Sequence, residues 1–170
     1  MPLRNIVYFP GSTIGNFTRD AAQELLGLMY QEAGENGAML IGVDLQKDSA
    51  IIERAYNDSA GVTAKFNLNM LTHLNREFGF DFDTSAFTHS AHYDADEGRM
   101  EIRLVSRRAQ VVTNGDERIE FDDGEAILTE YSHKYTLQSF AKMAERAGFE
   151  VRKVWTDPDD LFSVQYCTRL

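Results

Sequence analysis

The first 43 residues constrain the fold most, because they read as strand, loop, helix and strand in close succession. Ile6-Val7-Tyr8-Phe9 is an apolar run short enough for a buried strand, and Pro10-Gly11 ends it. After the loop Ser12-Thr13-Ile14-Gly15-Asn16, Thr18 can cap a helix whose apolar face uses Ala22, Leu25, Leu26 and Met29. Gly34 and Gly37 stop that helix, and Met39-Leu40-Ile41-Gly42-Val43 forms a second apolar strand ending at Asp44. Such a βαβ unit implies parallel strands joined by a right-handed crossover.

Beyond Asp48 the texture changes. A helical segment over Ile51 to Tyr56 precedes a longer one from about Ala60 to Glu77, whose expected core stripe is Val62, Phe66, Met70, Leu74 and Phe78, with Gly79 as its cap. Strict alternation in Arg99-Met100-Glu101-Ile102-Arg103-Leu104 marks a strand with one wet face, expected to run antiparallel to a neighbour over residues 86–93. Asn114-Gly115 signals a hairpin, and Ala126 to Ser132 a further strand. The tail returns to the first texture, with a helix on Leu137, Phe140, Met143 and Ala144 and strands over Val151 to Trp155 and Phe162 to Tyr166. The expected architecture is an α/β sheet formed by residues 1–47 and 135–170, interrupted by an α+β insertion over residues 48–134.

Charge and cysteine content narrow the function classes. A net charge of -10 over 170 residues disfavours duplex nucleic acid and anionic membrane surfaces as partners. Cys167 is the single cysteine, so neither an intrachain disulfide nor a thiolate metal cluster is expected, and a reducing, cytoplasmic setting fits. The apolar stretch after Arg4 is short and runs into Pro10-Gly11, which does not read as a signal peptide, and nothing approaches a transmembrane span.

Three places could carry chemistry. The loop Gly11 to Asn16 follows a parallel strand, where open α/β sheets bind ligands, and Asn16 offers both a donor and an acceptor; an ordinary strand-to-helix turn is the alternative. Tyr56, at the junction of two helices and beside Asn57-Asp58-Ser59, can bury its ring and present its hydroxyl, or simply be a core tyrosine. Glu130 and Ser132 lie two apart on one strand and so share a face; a carboxylate beside a hydroxyl suits an imidazole with two ring nitrogens, and a solvated strand face is the alternative. His89 and His92 point to opposite faces of a strand and lack a third ligand, so no metal is expected. Cys167 reads as a structural thiol.

Five stretches, in order along nearly the whole chain, resemble the histidine-specific, S-adenosylmethionine-dependent Nα-methyltransferases that make hercynine in ergothioneine biosynthesis. They are Phe9 to Phe17, Leu40 to Asp48, Ala55 to Asn67, Arg99 to Leu104 and Thr129 to Ser132. The resemblance implies a partial Rossmann-like class I methyltransferase sheet carrying an inserted substrate-binding subdomain. It further implies that Asn16 and Tyr56 act as catalytic residues by holding the α-amino and α-carboxylate groups of L-histidine. Glu130 and Ser132 would take the imidazole, and Ile102 would line the pocket where related enzymes can carry methionine. The amine must lose its proton before attacking the sulfonium methyl in line, so catalysis is mainly positioning.

The family's glycine-rich cofactor loop, its ribose-contacting acid and an early helix and tyrosine of the substrate subdomain have no counterpart in these residues. The chain is therefore expected to be a C-terminal fragment, inactive alone, with cofactor-binding residues elsewhere and no tight hold on S-adenosylmethionine. The Ile6–Phe9 edge is then expected to self-associate or to be completed by another polypeptide. Two other readings stay open: a non-catalytic remnant that binds an amino acid or a protein, and a methyltransferase for another amino acid such as a tryptophan derivative. Glu130 weighs against the second, since an indole offers a carboxylate one N–H only.

Overall fold

The computed structural model describes residues 4–170, which pack into two compact units. The first comprises the chain up to Asp48 together with Ala95–Arg99 and Tyr131–Leu170, and the second comprises Ser49–Asp94 and Met100–Glu130.

The first unit is built on a four-stranded sheet. Its strands are β1 (Ile6–Phe9), β2 (Ala38–Asp44), β8 (Phe149–Thr156) and β9 (Phe162–Arg169), arranged in the order β1-β2-β9-β8. β1 and β2 run parallel, with Phe9 opposite Ile41, and the crossover between them is α1 (Arg19–Ala33). Thr18 caps α1 by accepting from the Ala21 N–H, and Gly34 closes it. β9 is antiparallel to both β2 and β8. The mixed sheet follows from connection lengths: α1 spans a parallel crossover, whereas the short turn at Pro158 allows only an antiparallel return.

The helices α1 and α4 (Leu137–Arg146) close the core through Leu26, Met29, Phe140 and Met143, packed with Met39, Ile41 and Phe149 of the sheet. Thr136 and Ser139 form a reciprocal capping box at the start of α4. β1 departs from its expected burial. Val7 and Phe9 meet the core, but Ile6 and Tyr8 are 54% and 67% exposed, because β1 is an edge strand covered on one face only.

The second unit holds α2 (Ser49–Tyr56), α3 (Val62–Phe78) and the greater part of a three-stranded sheet. That sheet orders β3 (Phe87–Asp94), β4 (Arg99–Ser106) and β7 (Ala126–His133) as β3-β4-β7. The short turn between β3 and β4 permits only antiparallel pairing. The hairpin of β5 (Gln110–Asn114) and β6 (Glu117–Phe121) turns at Gly115, whose φ of 60° matches the Asn-Gly signal. The core of this unit joins Leu71 to Phe82, Phe87, Leu104, Val112 and Phe121.

Two expectations need correction. The buried face of α3 carries Asn67 and Leu71, while Val62, Phe66 and Phe78 are 64%, 75% and 60% exposed. Of the expected stripe, Met70 and Leu74 do pack against the core beside Leu68 and Leu71, whereas Val62, Phe66 and Phe78 face away from it. The residues expected in the insertion also divide differently: Ala95–Arg99 and residues 131–134 pack with the first unit. Backbone hydrogen bonds explain this, with Lys134 N–H donating to Gly98 O, Tyr135 N–H to Asp44 O and Gln46 N–H to Tyr135 O.

Candidate functional site

In the first unit the chemistry gathers at the carboxyl end of β1 and β2. Ser12 adopts a left-handed conformation (φ 56°), which turns the chain into a 3-10 turn over Thr13–Asn16. Its hydroxyl accepts from the Asp44 N–H at 2.9 Å, tying the loop to the end of β2. Both glycines of the loop sit where the backbone comes close. A Cβ on Gly15 would lie 2.8 Å from the carbonyl oxygen of His133, and one on Gly42 would lie 3.1 Å from Gly11 N. The close approach of Gly15 and His133 brings the turn against the end of β7, and exposed Asn16 follows Gly15 while Ser132 precedes His133. Two of the five candidate residues thus share one corner of this unit.

That corner contains a buried cation which the sequence did not single out. Lys134 is 1% exposed, and its ammonium lies 2.8 Å from Asp44 Oδ2 while donating to Ser132 Oγ at 2.7 Å. Lys47 takes the other oxygen of Asp44 at 2.5 Å and also donates to Leu161 O. Between Ser132 and Lys134, His133 is 1% exposed, and among the described residues neither ring nitrogen has a hydrogen-bond partner. Burial, with the positive charges of Arg19, Arg99 and Lys134, holds its pKa down to about 4, so the ring is neutral. The Arg99 guanidinium stacks 4.1 Å over Tyr131 on the same stretch.

The second unit holds the other three candidates. A cavity of about 330 Å³ is lined by Ile102 and Glu130 together with Thr63, Phe66, Asn67 and Met70. Ile102 is 4% exposed, and its carbonyl accepts from Thr129 Oγ1 at 3.0 Å, which fixes adjacent positions of β4 and β7. Phe66, expected in the core, is a wall of this cavity instead.

Tyr56 ends α2, half-buried, and is tied to the same wall through one histidine. The Tyr56 carbonyl can only accept, so His89 Nε2, 3.0 Å away, carries the hydrogen. His89 Nδ1 then accepts from Asn67 Nδ2 at 3.1 Å, and that amide also donates to Arg103 O at 3.1 Å. The two neighbours select one neutral tautomer and make His89 a structural clamp between α2 and α3. His92 pairs with Glu53 instead, and no group of three or more metal-ligating side chains occurs among the described residues. Asp58 starts α3 by accepting from the Val62 and Thr63 N–H groups, and these bonds hold its carboxyl down to about 2.

No local pattern could have shown Lys134, since its partner Asp44 lies ninety residues earlier and a lone lysine at a strand end reads as solvated. Thr63, Phe66 and Met70 did carry a signal, a shared helix face, but that periodicity is also the signature of a core stripe.

The glycine contacts bear on the family's methyl donor. Gly15 is occupied by packing against the His133 backbone, whereas Gly11 is exposed and a Cβ on it would meet only Thr13 Oγ1 at 3.8 Å, which leaves its backbone open to close approach.

Comparison with known proteins follows the same line. A family model described as "Histidine-specific methyltransferase, SAM-dependent" matches residues 2–169. The Histidine N-alpha-methyltransferase of Mycolicibacterium smegmatis is 40% identical over 98% of this chain and 52% of its own length. Its namesake from Mycobacterium tuberculosis is also 40% identical, over 91% of this chain and 49% of its own. The chain thus spans about half the length of these curated relatives. An S-adenosylmethionine-dependent methyltransferase from Clostridium acetobutylicum superposes with a TM-score of 0.50 at 8% identity, covering 99% of this chain and 60% of that one, and so shares its fold.

Proposed function

The chain belongs to the histidine-specific, S-adenosylmethionine-dependent methyltransferase family, and on that premise we propose that its natural protein methylates the α-amino nitrogen of L-histidine three times, giving hercynine. The observation that carries this reading is the Glu130–Ser132 pair: two polar groups on one face of β7, the first at a cavity wall and the second held by a buried ammonium. A carboxylate accepts from a ring N–H, and a hydroxyl donates to the opposite ring nitrogen. Ile102 gives the apolar wall against which a flat ring packs.

In this reading Asn16 and Tyr56 hold the amino and carboxylate groups of the substrate. Asn16 suits the role because its turn is pinned at Gly15, so its amide is presented from a fixed backbone. Tyr56 suits it because His89 and Asn67 restrain the end of α2. Positioning of this kind holds the amine lone pair in line with an incoming methyl group. S-adenosylmethionine, the donor of the family, supplies that methyl as a sulfonium. A cytoplasmic setting is part of the proposal, in keeping with one unpaired, buried cysteine.

The test is to supply the complete natural protein with histidine and the methyl donor and to follow the product by mass spectrometry. Addition of three methyl groups to the α-nitrogen supports the reading. A product methylated on the ring, or none from histidine while another amino acid is methylated, would refute it.

A further inference from the structure

Within the first unit, α1 and α4 pack side by side, and the groove between them holds a cavity of about 390 Å³ that the histidine reading does not use. Lys142, Met143 and Arg146 share one face of α4, being three and four residues apart. Arg19, Asp20 and Gln23, from the start of α1, form the facing wall. Gln23 Nε2 donates to Met143 O at 3.2 Å and so ties the two helices together.

Two observations mark this groove as a ligand site. The first is charge. In a chain of net charge -10, Arg19, Lys142 and Arg146 set three cations around one cavity, against the single carboxylate of Asp20. Among the described residues neither Lys142 nor Arg146 has an ion-pair partner, and Arg19 places one guanidinium nitrogen on Glu97 O at 2.9 Å. Like charges gathered in this way repel unless an anion lies among them. The second observation is Tyr135. It too lines the cavity, is 1% exposed, and its hydroxyl has no hydrogen-bond partner among the described residues. Burial pushes its pKa up, with the charge of Arg19 acting in the opposite sense, so the hydroxyl keeps its proton and is a donor lacking an acceptor.

We propose that the groove between α1 and α4 binds the phosphate group of a small phosphorylated metabolite. Arg19, Lys142 and Arg146 supply the counter-charge for the dianion and donate to its oxygens. Arg19, exposed and able to change rotamer, lets one phosphate oxygen reach the Tyr135 hydroxyl at the buried end. A tetrahedral anion accepts from several directions at once, as donors on two helices and a buried tyrosine require. A planar carboxylate with one charge matches them less well. The cavity exceeds a bare phosphate, so Met143 offers an apolar surface to the organic part and Asp20 accepts from a hydroxyl on it.

The test is calorimetry on the complete natural protein, with inorganic phosphate and ribose 5-phosphate as ligands and ribose as the control. Both phosphates are expected to bind, and ribose is not. Lys142→Met and Arg146→Gln, at exposed helix positions where folding tolerates substitution, should each weaken ribose 5-phosphate about tenfold, the scale of one charged hydrogen bond. Tyr135→Phe should weaken it about fivefold. The same variant, without phosphate, should melt no lower than the unaltered protein, because the change deletes a buried hydroxyl that has no partner. A structural role for that hydroxyl would move stability the other way, so a lower melting temperature in Tyr135→Phe would overturn the inference. Failure of both phosphates to bind, binding of ribose, or ribose 5-phosphate affinity that any of the three variants leaves unchanged would overturn it as well. The histidine reading stands or falls separately, since no residue of this groove belongs to it.

Discussion

Gly15 and His133 touch backbone to backbone: a single added carbon on Gly15 would come within 2.8 Å of the His133 carbonyl oxygen and 3.3 Å of its nitrogen. The contact joins the turn that presents Asn16 to the strand end that presents Ser132, and neither partner is a flexible side chain that can move aside. Gly15→Ala should therefore force the two segments apart. We expect a loss of about 1–3 kcal/mol in stability, typical of overpacking, with weakened histidine binding. Urea unfolding and calorimetry on the same variant check both.

Glu130 lines the second unit's cavity and is the one carboxylate there. Glu130→Ala should weaken histidine binding by roughly 1.5–3 kcal/mol, the range for a hydrogen bond to a charged group, and Glu130→Gln by less. Unchanged affinity would show that another group reads the ring.

His133 makes stability depend on pH. Its folded-state pKa of about 4 lies below the ordinary 6.5, so between these values the unfolded chain binds more protons than the folded one. Stability should be full above pH 6.5 and fall as the pH drops toward 4. His133→Phe should flatten that slope specifically. Chemical denaturation from pH 4 to 7.5 in both proteins tests it, and equal slopes would mean that the ring is not held neutral.

The exposed side of β1 gives a prediction about association. Ile6 and Tyr8 are largely exposed on a strand that has a neighbour on one side only among the described residues, and unpaired edges of that kind template further pairing. The chain of residues 1–170 should self-associate in solution, and Tyr8→Lys should reduce it, as a charge on an edge disfavours pairing. Light scattering across a concentration series reads the outcome, and a monomer at all concentrations would contradict it.

Much of the first unit was legible because its signals are local. The Thr18 cap, the stop at Gly34 and the apolar runs of β1 and β2 each act within a few residues. The alternation in β4 likewise gave Met100, Ile102 and Leu104 as the buried face. α3 was harder, because its apolar residues spread over more than one face. Met70 and Leu74 of the expected stripe turn inward with Leu68 and Leu71 while Val62, Phe66 and Phe78 do not, and only Phe82 and Phe87, brought in from elsewhere, decide which part is covered. Lys134 was illegible for a related reason: its meaning comes from Asp44, and no spacing rule spans that separation.

Cys167, the chain's single cysteine, lies fully buried on β9, the strand flanked by β2 and β8, and burial pushes its thiol up to about 12. A thiol in that state is protonated and shielded, so it stays silent toward alkylating reagents until the sheet itself comes apart. The molecule thus carries its own unlabelled gauge of global opening, since the alkylation rate under native conditions reports how often the heart of the sheet is breached.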